Sequence, residues 1–222
     1  MPFVAVRAPT CKMFDTDVKI TSDTILDAIA NQDGEGILRY TPLPGNNPKA
    51  DIDPVELALI LSHPARFLAG FVQHPRNPGW RPGACDPEAD ALYSVKFAKA
   101  AGYAPGTHGW FDAEGMGSAT TGAEAIAYYS PYCHVLVEEG FRAGGYGGYD
   151  DAMTAVDLYD LADCTSYWSD AGHRRVATRG TAIMQGATIK ILGVGFDPDS
   201  VAPDLLGDTP WFTQAEAAPA AA

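Results

Sequence analysis

Thr107–Gly115 reads T-H-G-W-F-D-A-E-G. It is short, apolar at its centre and ends on a Gly turn, which predicts a strand over Thr107–Glu114. Side chains alternate across a strand, so His108, Trp110, Asp112 and Glu114 share one face, and Gly109, Phe111 and Ala113 share the other. Two carboxylates then sit side by side at the strand's C-terminal end, with an aromatic ring beneath them. Like charges at that spacing repel and raise the pKa of one member. A protonated acid beside an ionised partner is the arrangement that glycosidic-bond cleavage uses. The plainer alternative is a solvated acidic pair at a strand end.

The same alternation of short apolar runs with helical patterns extends in both directions. Strands are expected at Lys12–Thr16, Gly36–Thr41, Arg66–His74, Phe141–Tyr149, Cys164–Ser169, Gly180–Gln185 and Leu192–Asp197. Helices are expected at Thr21–Asn31, Pro54–Ser62, Pro87–Ala101, Thr121–Glu139 and Asp151–Leu161, the second capped by Asp53 with Pro54 at its first position. The seventh and eighth strands are too close for a full helix between them. Eight strands with helical crossovers imply an α/β fold with a parallel sheet, best closed as a (β/α)8 TIM-like barrel. A doubly wound open sheet is the runner-up. The barrel is expected over residues 1–205, followed by a tail over 206–222. The Ala-rich end of that tail is expected to be disordered unless something holds it, such as a neighbouring subunit or another protein in a larger assembly.

In such a barrel, chemistry gathers at the C-terminal strand ends. Those ends carry Asp15, Arg39 and Tyr40, His74, Asp112 and Glu114, Tyr146, Trp168, Gln185 and Asp197. Acids ringed by aromatic and amide groups suit a sugar-binding mouth, because rings offer flat apolar faces and amides orient hydroxyls. Each residue also has a structural reading: Asp15 as a helix cap, Arg39 as an ion-pair partner inside the fold, His74 as part of a turn before Pro75, Trp168 as core. Asp197 and Asp199 lie in F-D-P-D-S, a fair turn sequence.

The 222 residues carry a net charge of -13, with 46% hydrophobic and 19% charged residues. That balance fits a globular chain and argues against nucleic acid, which rewards basic patches. No apolar run approaches the roughly 20 residues of a membrane span. The start, M-P-F-V-A-V-R-A-P-T, is too short and weakly apolar for a secretory signal, so synthesis in a cytoplasm without an export route of its own is expected. Cys11, Cys85, Cys133 and Cys164 are widely spaced, with no C-x-x-C, and are expected to be free thiols. No cofactor motif or metal-ligand spacing of His and Cys is present. An acid cluster can still hold Mg²⁺ or Ca²⁺ through oxygen ligands.

The ordered set of strand motifs resembles the glycoside-hydrolase-like barrels of the "domain of unknown function 1906" type, and more distantly the family 25 lysozymes, or muramidases. The matching pieces are M-F-D-T, I-L-R-Y, G-W-F-D-A-E, G-F-R-A-G-G-Y-G-G-Y, Y-W-S-D-A-G, I-M-Q-G and V-G-F-D-P-D, spread over roughly residues 12–200. The resemblance implies a glycan hydrolase acting on peptidoglycan. Glu114 would be the general acid, and Asp112 would stabilise developing positive charge or orient an acetamido group. Asp15 and Asp197 match further family acids, while Trp168 and Gln185 match the sixth and seventh strands. In this reading the deeper Asp112 stays ionised and Glu114 holds a proton. The chain departs from the pattern where Gly115-Met116-Gly117 replaces a further acid, where Met184 replaces an aromatic, and in its acidic charge. A bacteriophage origin would fit the missing signal. The rival function is a non-catalytic barrel serving as a structural or glycan-binding part of a virion. A metabolic aldolase- or isomerase-like barrel would need a Schiff-base lysine or phosphate loop, and of six lysines only Lys12 falls on an expected strand.

Overall fold

The computed structural model describes residues 2–45, 50–147, 152–170 and 176–216. Eleven strands occur in chain order: β1 Phe3–Arg7, β2 Cys11–Thr16, β3 Gly36–Thr41, β4 Leu68–Gln73, β5 His108–Asp112, β6 Arg142–Gly147, β7 Cys164–Asp170, β8 Ile183–Gln185, β9 Ile189–Ile191, β10 Val194–Val201 and β11 Trp211–Ala215. The α-helices are α1 Asp23–Ala30, α2 Pro54–Ser62, α3 Pro87–Ala101, α4 Gly122–Glu138 and α5 Ala155–Tyr159. Tyr149, expected on the fifth strand, and Asp151, expected to open the last helix, lie outside the described residues, as do residues 217–222.

Local chemistry explains where the helices begin. Asp53 accepts the Glu56 N–H ahead of Pro54, and Asp86 accepts the Ala89 N–H ahead of Pro87. Thr121 and Glu124 close a reciprocal capping box on α4, which continues through Pro131. Gly102 ends α3 with φ +107°, a conformation that costs other residues a clash.

β2 through β8 pair in parallel, in sequence order, and β10 closes the ring between β8 and β2. The result is the TIM-like eight-stranded barrel. One expectation is corrected. The eighth strand runs antiparallel to both neighbours instead of completing a fully parallel sheet. Its cause is local: β9 and β10 form a hairpin whose turn residues, Leu192 and Gly193, both have positive φ, the requirement of a tight two-residue turn. No helix intervenes, so the chain cannot return to the other rim before pairing. The strand also extends to Val201, and F-D-P-D-S, a fair turn by composition, lies within it.

The core has two layers. Inside the barrel, each of the eight strands contributes one of Met13, Leu38, Val72, Trp110, Tyr146, Trp168, Ile183 and Val201. Outside, Phe14, Ile37, Phe71, Phe111, Tyr167 and Phe196 pack toward the helices. Trp110 fits only because β6 offers Gly144 beside it, where a Cβ would lie 2.4 Å from the indole. The floor is closed by β1 and β11, which pair antiparallel, with β11 joined to β4 through Thr213 and Ala69. Trp211–Ala215, expected in the tail, thus forms part of the sheet. Phe212 is fully buried and stacks on Trp110 with ring centroids 5.8 Å apart.

Candidate functional site

Parity on β5 orders its inward face by depth. His108 lies on the floor, where it stacks on Trp110 and accepts the Trp211 N–H at 2.9 Å. Burial, and then the nearby Arg142 charge, hold its pKa down at about 3. Trp110 fills the middle, and Asp112 stands at the mouth with 2% of its surface exposed. The strand ends there, so Glu114 belongs to the following turn. Its backbone N–H donates to Asp112 Oδ1 at 2.8 Å.

That turn is held from outside by the loop before α3. Trp80 Nε1 donates to Glu114 O at 2.9 Å, Gly79 N to Gly115 O at 2.7 Å, and Gly117 N to Trp80 O at 2.8 Å. Gly115 sits at φ +74°, and Met116 is buried. The Gly-Met-Gly departure from the resembled pattern therefore has a packing reason. It lets two backbone segments approach closely enough to fix the Glu114 turn.

A hydrogen-bonded line then crosses the mouth. Tyr146 Oη lies 3.2 Å from Glu114 Oε1 and 2.8 Å from Gln185 Oε1, and Gln185 Nε2 donates to Asp15 Oδ2 at 2.8 Å. Tyr40 Oη donates to Asp15 Oδ1 at 3.4 Å, and Gln185 Nε2 also reaches Asp197 Oδ2 at 3.5 Å. Asp197 pairs directly with Asp15 in the antiparallel register. Because β10 runs downward, its early residues are the ones at the mouth. Asp15, Glu114 and Asp197 thus meet at one rim even though the eighth strand is reversed. Beside them, Asp15, Tyr40, His74, Asp197 and Thr188 border a cleft of about 340 Å³. The Tyr40 and His74 rings lie 5.2 Å apart.

Burial sets the charge state. It raises Asp15 to about 7; the Gln185 bond opposes the rise and the Asp197 charge adds to it. It also raises Asp112 well above the ordinary carboxylate range, reinforced by the Glu114 charge and opposed by the Glu114 N–H. The expectation of an ionised Asp112 rests on its being held by hydrogen bonds. With a single backbone donor, burial outweighs that bond.

Three expected substrate-binding residues are corrected. Arg39 is fully buried on the helix-facing side of β3; its Nε donates to Glu56 Oε1 at 2.7 Å and its other nitrogens to the Ala50 and Thr16 carbonyls. It sits at the right strand end but on the wrong parity. Trp110 and Trp168 have the right parity but lie one layer too deep, at 0% and 1% exposure, so neither offers a face to a sugar. Asp199 is the residue that sequence reasoning missed. It is completely buried inside the barrel, two residues along the same face from Asp197. The period-two spacing Asp197, Asp199, Val201 marks it, once Pro198 is accepted within a strand. Among the described residues no group of His, Cys, Asp and Glu has the arrangement of a metal site, and no helix is long and apolar enough to cross a membrane. All four cysteines are free.

The fold has solved counterparts. An uncharacterized Bacillus stearothermophilus protein aligns with TM-score 0.64 at 13% identity, over 89% of this chain and 98% of the other. The Tat-secreted protein Rv2525c of Mycobacterium tuberculosis, in complex with L-tartrate, aligns with TM-score 0.63 at 14% identity, over 89% and 98%. The catalytic domain of endolysin ply40 from bacteriophage P40 of Listeria monocytogenes aligns with TM-score 0.53 at 10% identity, over 87% and 93%. No curated protein sequence matches the chain. The sequence pattern of one family, however, matches residues 27–199, from α1 to the buried aspartate of β10. By that match the chain belongs to the Rv2525c-like, glycoside hydrolase-like domain family.

Proposed function

We propose that the chain is a glycoside hydrolase acting on bacterial cell-wall glycan in the manner of a muramidase. The observation that carries this reading is the line Glu114–Tyr146–Gln185–Asp15, which joins carboxyls from opposite sides of one mouth through neutral groups. Glu114 stands at the rim on a clamped turn and is assigned as general acid. Asp112, below it, accepts the Glu114 N–H and so steadies the turn that presents the general acid to the sugar. Asp15 and Asp197 complete the acidic wall; Tyr40, His74, Tyr146 and Gln185 orient hydroxyls. No cofactor is invoked. A bacteriophage source, with release by lysis or carriage on a virion, is the setting we assign to it, and the likeness to an endolysin catalytic domain supports that setting.

A second reading has an observation of its own. The mouth lacks the two tryptophan platforms expected from sequence, and Asp112 is almost wholly covered. A barrel that binds glycan without cleaving it, as a structural part of a larger assembly with protein partners, fits those facts. Turbidity clearing of purified cell walls decides between the two. Wild type should clear them, and Glu114→Gln should lower the rate by about 10²–10⁴ with melting temperature and glycan binding retained. Equal clearing by both proteins, or none by wild type on several wall preparations, would replace the enzyme with the binding barrel.

A further inference from the structure

Asp199 sits where a carboxylate is hardest to keep. It has no surface open to solvent, and neither oxygen is met by an N–H or hydroxyl donor among the described residues. The Trp168 indole N–H is nearby, and among the described residues it too has no hydrogen-bond partner. The carboxyl that the fold sets beside Asp199, on the adjoining strand and the same inward face, is that of Asp15. The antiparallel register brings the two together, and their charges are coupled. Asp197 faces Asp15 across β2, and Asp199 lies one inward position deeper on the same strand, opposite Met13 on one side and Gln185 on the other. Two carboxyls can share a hydrogen bond only if one carries a proton.

We propose that Asp199 is a neutral carboxylic acid that donates its proton to Asp15, and so positions Asp15 from beneath while Gln185 and Tyr40 hold it from above. Two bonds from neutral donors and one from an acid would then fix the Asp15 carboxylate without any cation. The titratable groups facing Asp199 are Asp15 and the Cys11 thiol on β2 and Asp197 on its own strand. Among the described residues none of these supplies positive charge, which leaves a proton to compensate the carboxylate at that depth. Asp199 is here a positioning residue. The inference deepens the proposed glycosidase reading, yet the carboxyl pair exists whether or not the mouth cleaves glycan.

The test is spectroscopic and needs no substrate. Infrared difference spectra of wild type at pH 7 should show a protonated-carboxyl C=O band that is lost in Asp199→Asn, whose amide N–H replaces the acid as donor to Asp15. An unchanged band in Asp199→Asn, or no such band in wild type, overturns the proposal. Because the variant could fold poorly, ¹³C-carboxyl NMR of Asp-labelled wild type gives a second reading. Once the Asp112 signal is assigned by its loss in Asp112→Asn, one further aspartate resonance should stay at the protonated position from pH 5 to pH 8, and movement of every aspartate other than Asp112 to the ionised position by pH 8 would overturn the proposal. If walls are cleaved, Asp199→Asn should also move the alkaline limb of the pH profile upward, because its donor cannot be titrated away. Absence of cleavage by wild type, with the infrared result intact, would count against the hydrolase reading alone.

Discussion

The two ends of this barrel are built on opposite terms. At the floor every buried polar group named above has a mate: His108 accepts the Trp211 N–H, Thr107 and Thr213 hydroxyls lie 2.7 Å apart, and Thr213 Oγ1 accepts the Ala104 N–H. Phe212 seals the rest. At the mouth, Asp15, Asp112 and Asp199 are each almost wholly buried, and burial pushes all three toward the protonated state. Like charges crowded in low dielectric destabilise a fold. That such an arrangement stands on top of a well-satisfied floor supports the proposed site at the mouth and puts stability at the floor.

The contrast can be broken most severely from below. Phe212→Ala removes the fully buried ring that Trp110 stacks on, and should cost about 3–5 kcal/mol in denaturant unfolding. A loss under about 1 kcal/mol would mean that the floor does not carry the stability assigned to it. A weaker effect of opposite sense is expected above. Asp15 holds its proton more tightly folded, at about 7, than an ordinary carboxyl at 3.8. Its contribution to stability is therefore full below about pH 4 and lost as pH rises through about 7. Asp15→Asn should gain on wild type, on the order of a few kcal/mol, between melts at pH 5 and pH 8. A constant difference across that range would show that Asp15 is ionised throughout.

Two smaller changes sharpen the boundary between the halves. Gly144→Ala places a methyl 2.4 Å from the Trp110 indole and should cost about 1–3 kcal/mol, read as a lower denaturant midpoint at unchanged slope. Thr213→Val leaves the Ala104 N–H unpaired and should cost about 1 kcal/mol, with the pH dependence of wild type retained. A changed pH dependence in Thr213→Val would mean that floor and mouth are coupled.

Much of this was legible in the sequence, and the failures have physical causes. The eight barrel strands and five helices follow from apolar period and cap chemistry, and period two on β5 ordered His108, Trp110 and Asp112 correctly. Arg39 reads as a mouth residue from strand-end position alone, but parity turns it away: Ile37, Arg39 and Thr41 face the helices, while Leu38 and Tyr40 face inward. Trp110 and Trp168 were misjudged because period two tells face but not depth. The reversed direction of β10 is invisible to periodicity, since alternation reads the same both ways. Its clues were the Leu192-Gly193 turn and the short gap after β8. Asp199 was hidden by Pro198, which reads as a turn residue although a strand can hold it. β1 and β11 escaped because each is five residues long and has no partner in sequence nearby.

The pairing of β1 with β11 also has a practical meaning. Phe3 lies opposite Ala215, and the Glu216 N–H donates to the Pro2 carbonyl at 3.0 Å, so both described ends of the chain leave side by side from the floor. A surface tether, fluorophore or fused module attached at either one would hold the barrel by its base, with the acidic mouth facing outward. Joining the two by a short linker and reopening the chain in a loop between a helix and a strand would give a circular permutant with the same barrel.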